Sequence, residues 1–352
     1  MKTALTIIAL LLLTNTVAQA QGTKERIDSI VNSFYKANPE VSISVGFFQD
    51  GEEFYTSYGN LSRDVSEAVN KHTLFEIASI TKIMTSNLIA QAVLEGKLEL
   101  DEYIDKYLPT IYKLNKNLRH KISISDLASH QSGLPDVDFV ELIEKDPQQP
   151  TKIVDQQMLT SMINNCNSLK DYGTYRYSTV GYTLLGQILE QIYGVSYEVL
   201  LNKLIFQPLA MESSFTSEFD VVNTAQGYNG EGGKQELFLW NVLGPSGLVK
   251  SSTSDMLNYL RAILDENSII GKAAKLTEVP YYSEENEAVG LGTNIYFEAD
   301  QTIYLKSGDS MGQSSMLCYN REANWGILFF INQNNSKMRN EMLNTIFEHV
   351  LK

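Results

Sequence analysis

Ser79 and Lys82 stand three positions apart in the stretch Phe75-Glu76-Ile77-Ala78-Ser79-Ile80-Thr81-Lys82-Ile83-Met84-Thr85. If that stretch opens a helix, residues i and i+3 share a face, and the Lys82 amine reaches the Ser79 hydroxyl. A serine hydroxyl is a weak nucleophile until a neighbour takes its proton, and an amine can do this once its pKa is lowered. A helix N-terminus at Ser79 would favour the negative charge that develops there. The pair therefore points to acyl transfer through a serine. Spacing alone is not specific, because Ser33-Phe34-Tyr35-Lys36 repeats it inside an amphipathic helix, where it reads as ordinary helix surface.

Two later clusters sharpen the reading. Gly173-Thr174-Tyr175-Arg176-Tyr177-Ser178-Thr179-Val180-Gly181-Tyr182 precedes Leu184-Leu185-Gly186, and Lys306-Ser307-Gly308 ends a predicted strand. Tyr177 lies 98 positions after Ser79, and Lys306 a further 129. All three clusters fall at boundaries between elements, where functional side chains are usually presented.

The elements that must position them alternate in texture. Lys24 to Ala37 is amphipathic, with Ile27, Ile30, Val31 and Phe34 on one face, and Asn38-Pro39 ends it. Val41 to Phe48 and Glu52 to Tyr58 read as strands joined by a hairpin at Asp50-Gly51. A mostly helical middle follows, from Ile80 to about Phe206, with segments at Asn87–Glu95, Ile124–His130, Val137–Glu144, Lys152–Asn164 and Thr179–Tyr193. From Gly227 onward strands are expected to return, at Leu291–Phe297, Thr302–Lys306, Ser314–Tyr319 and Trp325–Ile331, before a closing helix over Lys337–Lys352. This order predicts an α+β fold: an antiparallel β-sheet flanked by helices, with an inserted, mostly helical subdomain. The expected division is a body of residues 21–79 and 227–352 and a helical subdomain of about 80–226.

The 352 residues are 43% hydrophobic and 20% charged, enough for a substantial core. A formal net charge of −14 argues against nucleic acid as a partner. Met1 to Ala20 reads as a secretion signal: Lys2 is the positive end, Ile7 to Leu13 the apolar region, and Ala18-Gln19-Ala20 the cleavage site. The mature chain should start at Gln21, be periplasmic or secreted, and have no stable membrane insertion. Cys166 and Cys318 could pair or stand as two separate thiols. His72, His120, His130 and His349 lack metal-ligand spacing, so neither metal nor other cofactor is expected.

With these motifs in order, the chain resembles the serine β-lactamase and penicillin-binding protein superfamily, in particular its class C branch, which also holds D-alanyl-D-alanine carboxypeptidases, D-amino-acid amidases and carboxylic esterases. The resemblance extends to Phe75-Glu76-Ile77, Leu127-Ala128-Ser129-His130-Gln131-Ser132-Gly133-Leu134-Pro135, Gln207-Pro208-Leu209-Ala210-Met211, Gly244-Pro245-Ser246-Gly247-Leu248 and Ser254-Asp255-Met256. It implies that Ser79 attacks the substrate carbonyl while Lys82 and Tyr177 share the proton traffic. Tyr177 would need a lowered pKa to act as base, and ammonium groups at Lys82 and Lys306 would lower it. The backbone N–H groups of Ser79 and Asp309 would form the oxyanion hole. Lys306-Ser307-Gly308 would lie on an edge strand, with Gly308 admitting close approach of the substrate and Lys306 and Ser307 meeting a carboxylate. The implied partner is a small β-lactam, D-amino-acid peptide or ester, and the implied state a monomer.

One position departs from the pattern. β-Lactam-active relatives carry Tyr-Ser-Asn or Tyr-Ala-Asn at the second motif, whereas Thr179 stands here, a shorter group with a single donor. This raises an esterase or an unusual amidase as an alternative, and also a penicillin-binding sensor that acylates without turnover. Three other patterns read as incidental. Gly308-Asp309-Ser310-Met311-Gly312 spells a nucleophile elbow but leads into a strand instead of a helix. Glu198-Val199-Leu200-Leu201-Asn202 falls after the second motif, and Tyr58-Gly59-Asn60 ends a hairpin strand. His130 is expected to hydrogen-bond structurally.

Overall fold

The computed structural model describes residues 22–217, 221–298 and 301–351. The segment read as a secretion signal lies outside the described residues. The first hairpin forms where Asp50 and Gly51 both take positive φ, +50° and +91°, the combination that a two-residue turn matching strand twist requires. It pairs Ile43–Gln49 with Glu52–Tyr58 in register from Ile43↔Tyr58 to Gln49↔Glu52. Ile43–Gln49 also pairs antiparallel with Trp325–Ile331 near the C-terminus. The eight-stranded antiparallel sheet runs, in spatial order, Glu52–Tyr58, Ile43–Gln49, Trp325–Ile331, Ser314–Asn320, Gln301–Asp309, Asn294–Glu298, Glu287–Val289, Tyr282–Glu284.

The central strands are buried on both faces, so alternate side chains enter two different cores. Ile43, Val45, Phe47, Ile327, Phe329 and Ile331 pack with Ile27 and Val31 of helix 22–37 and with Met338, Met342 and Ile346 of the Ser336–Ile346 helix. Phe48, Leu317, Leu328 and Phe330 face the larger core, which includes the helices Thr81–Leu94, Thr179–Tyr193 and Thr253–Leu264. Thr81–Leu94 is buried from Thr81 through Ala92, which is why, apart from Lys82 and Gln91, it carries apolar or small polar residues all round instead of one stripe.

The expected return of strands from Gly227, with a helix only at the C-terminal end, is corrected at two further helices, Thr253–Leu264 and Ile269–Thr277. Each has a serine N-cap: Ser252 accepts from the Asp255 N–H and Ser268 from the Gly271 N–H. Met256, Leu257, Leu260, Ile263 and Leu264 recur at helical spacing and are buried. Cys166 and Cys318 are free thiols, one half-buried and one buried. Among the described residues, no helix is long and apolar enough to cross a membrane.

Candidate active site

Ser79 is placed by a short strand and a strained turn. Leu74–Glu76 pairs with Lys250–Ser252, and the Ile77 N–H continues the ladder to the Val249 carbonyl at 3.1 Å. Ala78 then takes the left-handed φ of +44°, an unfavourable conformation for a residue with a Cβ. The chain turns through a 3₁₀ segment, Ala78–Ile80, directly into the helix Thr81–Leu94. Ser79 thus sits one tight turn ahead of the α-helix, with Lys82 in its first turn.

Three polar atoms converge here. The Lys82 Nζ lies 3.1 Å from Ser79 Oγ, and the Tyr177 hydroxyl donates to the same Oγ at 2.7 Å. Lys82 Nζ also donates to the Ser246 carbonyl at 2.8 Å. Nζ atoms of Lys82 and Lys306 each stand 4.8 Å from the centre of the Tyr177 ring. Burial drives the Lys82 pKa well below 10.5, Lys306 pushes it further down, and Asp136 opposes both. Burial likewise brings Lys306 down to about 7.

These shifts run against the lowered Tyr177 pKa expected from two neighbouring ammonium groups. The Tyr177 pKa is raised, chiefly by burial, with the Ser79 hydrogen bond opposing and Tyr175, Asp136 and Asp309 adding to the rise. The residue is 44% exposed overall, so solvent softens that push without reversing it. The ammonium groups expected to stabilise a phenolate are themselves partly discharged by burial. An amine at Lys82 that has lost its proton can accept from Ser79 while still donating to Ser246, and Tyr177 then donates to Ser79.

Tyr177 is held from behind. His130 packs tilted against its ring at 4.6 Å between centroids, and its Nδ1 accepts from the Ser178 N–H at 3.0 Å. Burial, with Lys306 and Lys82 adding, holds its pKa well below the ordinary value. The expected structural hydrogen bond is present, and the neutral ring keeps its proton on Nε2, which is buried without a partner. Asp136 accepts from the N–H groups of Thr179 at 2.6 Å and Val180 at 3.1 Å. A carboxylate there satisfies free donors at the start of the Thr179–Tyr193 helix and favours its dipole.

The third motif lies on Gln301–Asp309, between Ser314–Asn320 and Asn294–Glu298, so it is not on an outermost strand. Pairing with Asn294–Glu298 ends at Leu305, however, leaving Lys306 to Asp309 with an open edge. A Cβ on Gly308 would fall 2.3 Å from the Ile77 carbonyl and 2.9 Å from the Ser79 nitrogen. The glycine therefore lets the strand press against the Ser79 turn, a protein contact instead of the substrate approach expected from sequence.

These parts line a cleft of ≈ 460 Å³. Ser79, Tyr177, Thr179, Lys306, Ser307 and Asp309 face it, and Asn294 and Asn334 add amide groups. Lys82 and Gly308 support it from behind. Phe139, Ile143, Phe238, Trp240 and Met311 form an apolar wall. Within that wall Phe238 is held by buried Glu76, which accepts from its N–H at 2.6 Å and from Ser310 Oγ at 2.7 Å. Ser310 also accepts from the Gln313 N–H at 3.1 Å, so the elbow-like pentapeptide is a buttressed turn. The other incidental patterns are likewise occupied: Ser33 donates to the Ile30 carbonyl, Tyr58 to Asp28, and Glu198 accepts from Thr216 and Ser217. Sequence reasoning missed Asp136, Asn294, Asn334 and the apolar wall, and treated Ser246 only as scaffold. Asp136 directly follows the Gly133-Leu134-Pro135 run, but nothing in its spacing announces a helix start at residue 179.

A β-lactamase family model matches residues 27–351. The chain belongs to the β-lactamase family. Among curated members it is 25% identical over 308 residues to a β-lactamase of Pseudomonas fluorescens, covering 86% of this chain and 82% of that one. It is 27% identical over 257 residues to a β-lactamase of Providencia stuartii, covering 72% of this chain and 63% of that one. It is 24% identical over 335 residues to Protein flp of Staphylococcus aureus, covering 88% and 63%. The chain thus spans less than two thirds of the length of some relatives. A class C β-lactamase structure superposes with TM-score 0.82 at 21% identity, covering 94% of this chain and 96% of that one. A β-lactamase/D-alanine carboxypeptidase from Pseudomonas syringae does so with TM-score 0.80 at 20% identity, covering 93% and 99%. The family is that of serine β-lactamases and penicillin-binding proteins, and the fold is that of the class C enzymes.

Proposed function

We propose that the protein is an exported serine hydrolase that works through a Ser79 acyl-enzyme on an amide, β-lactam or ester, as its β-lactamase and D-alanine carboxypeptidase relatives suggest. The observation that carries this reading is the convergence of Lys82 Nζ and the Tyr177 hydroxyl on Ser79 Oγ. Neutral Lys82 takes the Ser79 proton as Oγ bonds to the substrate carbonyl carbon. The N–H groups of Ser79 and Asp309 receive the oxyanion. The scissile C–N or C–O bond then breaks, and its leaving group takes a proton relayed from Lys82 by way of Tyr177. Water attacks the acyl-enzyme and gives its proton to the same pair, which passes it to Ser79 Oγ as the acyl C–O bond breaks and the carboxylic acid product leaves. Lys306, Ser307 and Thr179 hold the substrate.

Export rests on the Met1–Ala20 pattern, and the mature protein is taken to act outside the cytoplasm as a monomer, with residues 80–226 as a helical subdomain on the body. Intact mass after mixing with a penicillin, a D-amino-acid amide or a p-nitrophenyl ester tests the mechanism. An acyl adduct that maps to Ser79 and disappears in Ser79→Ala supports it. An adduct elsewhere, or none with any of the three substrate classes, overturns it. Thr179 and the apolar wall favour the esterase form of the same mechanism. A sensor that does not turn over is excluded if a chromogenic cephalosporin or ester gives a sustained rate after the burst.

A further inference from the structure

We propose that Glu76 is a positioning residue for acyl recognition: through the Phe238 N–H it ties the apolar wall of the cleft to the Ser79 turn, and so sets a preference for substrates with an apolar acyl group. The proposal rests on the Ser79 reading above and specifies its substrate class. Glu76 is buried and stands three positions before the nucleophile. Its own backbone is fixed, because it pairs with Lys250 and its N–H donates to Gln313 Oε1 at 2.7 Å. Its carboxylate reaches two other segments, taking the Phe238 N–H on Oε1 and the Ser310 hydroxyl on Oε2. A carboxylate that accepts from a backbone N–H makes a charge-assisted bond, roughly twice as strong as a neutral one.

Phe238 carries more of the wall than its own ring. It meets Trp240 edge-on at 4.7 Å between centroids, so a shift of one moves the other. The other edge of this segment is tied to residues 149–151. Gln149 takes the Leu239 N–H and donates to the Leu237 carbonyl, both at 2.9 Å, and Thr151 donates to the Leu239 carbonyl. Those ties join the segment to the chain beyond the helix Phe139–Lys145, which supplies Phe139 and Ile143 to the wall. The Glu76 bond joins it instead to the strand that delivers Ser79. Tyr177, packed by His130, Lys82 and Lys306, hands the leaving group its proton, so the leaving group lies on that side of Ser79 and the acyl group is left to the wall. Without the Glu76 bond Phe238 and Trp240 are free to shift while the contacts among Ser79, Lys82 and Tyr177 remain. A misplacement of about 1 Å in a positioning surface costs up to about a hundredfold in rate.

The test compares p-nitrophenyl phenylacetate with p-nitrophenyl acetate, each kcat/KM divided by that ester's hydroxide-catalysed rate. The wild type should favour the phenylacetyl ester about tenfold or more, from the apolar area its ring buries. Glu76→Ala should lower that ratio about three- to tenfold, with the acetyl ester changed by less than about threefold. Glu76→Gln keeps an oxygen for the Phe238 N–H and should restore the ratio to within about twofold of wild type. Ser310→Ala removes only the other partner of Glu76 and should leave the ratio unchanged. Should Glu76→Ala fail to fold because its buried strand partner Lys250 loses a neighbouring charge, Glu76→Asp decides: it keeps the charge, withdraws it from Phe238 and should lower the ratio likewise. The proposal is overturned if the wild type shows no phenylacetyl preference, or if the Glu76 variant slows both esters alike. It is equally overturned if Glu76→Gln restores nothing, or if Ser310→Ala lowers the ratio as far. Any of these with turnover that still requires Ser79 would sink this proposal alone. Turnover of both esters unchanged in Ser79→Ala would sink the mechanism and this proposal with it.

Discussion

Replacing Tyr177 by phenylalanine separates a base from a hydrogen-bond donor. If tyrosine were the base, it would have to be ionised before attack. Even at its ordinary value of 10.0 a phenolate at pH 7 costs about 4 kcal/mol, and burial here adds to that cost. The corresponding cost for Lys82 falls, because the same burial favours its neutral amine. Tyr177→Phe should then remove only the 2.7 Å bond to Ser79. A neutral hydrogen bond contributes about 0.5–1.5 kcal/mol, so acylation should slow roughly two- to tenfold. Lys82→Gln, which removes the acceptor itself, should cost about a thousandfold or more.

The assay is the pre-steady-state burst with a p-nitrophenyl ester. Its leaving group departs without a proton, so the burst reports deprotonation of Ser79 and not protonation of the leaving group. The burst rate should rise with pH along a limb centred well below 10.5, the ordinary lysine value, since the group is active when neutral and its pKa is lowered. That limb should persist in Tyr177→Phe. A Tyr177→Phe burst as slow as that of Ser79→Ala, with Lys82→Gln nearly intact, would refute the assignment of Lys82 as base.

Ser79→Ala should abolish turnover while leaving the circular-dichroism spectrum unchanged. Ser310→Ala should keep most activity and lose about 1–3 kcal/mol of stability, because Glu76 Oε2 loses its donor; loss of activity in Ser310→Ala alone would reverse the two roles. Lys306→Met should raise Tm at pH 7 while abolishing activity. The folded chain binds fewer protons than the unfolded one between about pH 7 and 10.5, so stability rises with pH across that window, and the mutant's advantage, at most about 5 kcal/mol, should vanish by its upper end. Thr179→Asn should raise the cephalosporin-to-ester ratio of kcat/KM about two- to tenfold by adding an amide to the cleft; an unchanged ratio would mean that residue 179 does not meet the acyl group. N-terminal sequencing of exported protein should begin at Gln21, and a chain retaining Met1 would contradict processing.

The strands nearest the hairpins were the most legible part of the fold. Asp50-Gly51 dictates its turn through two positive φ values, and a one-residue slip of Ile43–Gln49 would move Ile43, Val45 and Phe47 out of their core. The helices Thr253–Leu264 and Ile269–Thr277 were missed although their serine caps and apolar spacing were present, because the strand-like runs on either side dominated the local texture. Ser79, Lys82, Tyr177 and Lys306 were legible as candidates through motif order. What holds them was not, since each support crosses a long sequence gap: Ser246 reaches Lys82 over 164 positions, Glu76 reaches Ser310 over 234, and Arg339 reaches Asp309 over 30.

That gap between reading a nucleophile and reading its surroundings explains why the Tyr177 pKa is raised where the sequence leads one to expect it lowered. The motifs supply two lysines beside Tyr177, and counted as charges on a sequence they predict a phenolate. Packed together they do the opposite. Each ammonium added to a buried cluster lowers the pKa of the next, and the desolvation that discharges Lys306 to about 7 also disfavours an anion on the tyrosine. The carboxylate nearest Lys82 in effect is Asp136, which raises the Lys82 pKa but is outranked by burial and Lys306. Asp136 is itself tied to the Thr179 and Val180 N–H groups, which blunt but do not cancel its pull on Lys82. Asp136→Asn should therefore lower the Lys82 pKa further, shifting the burst's pH limb toward acid. A limb that moves toward alkali would mean that Asp136 does not act on Lys82 through its charge.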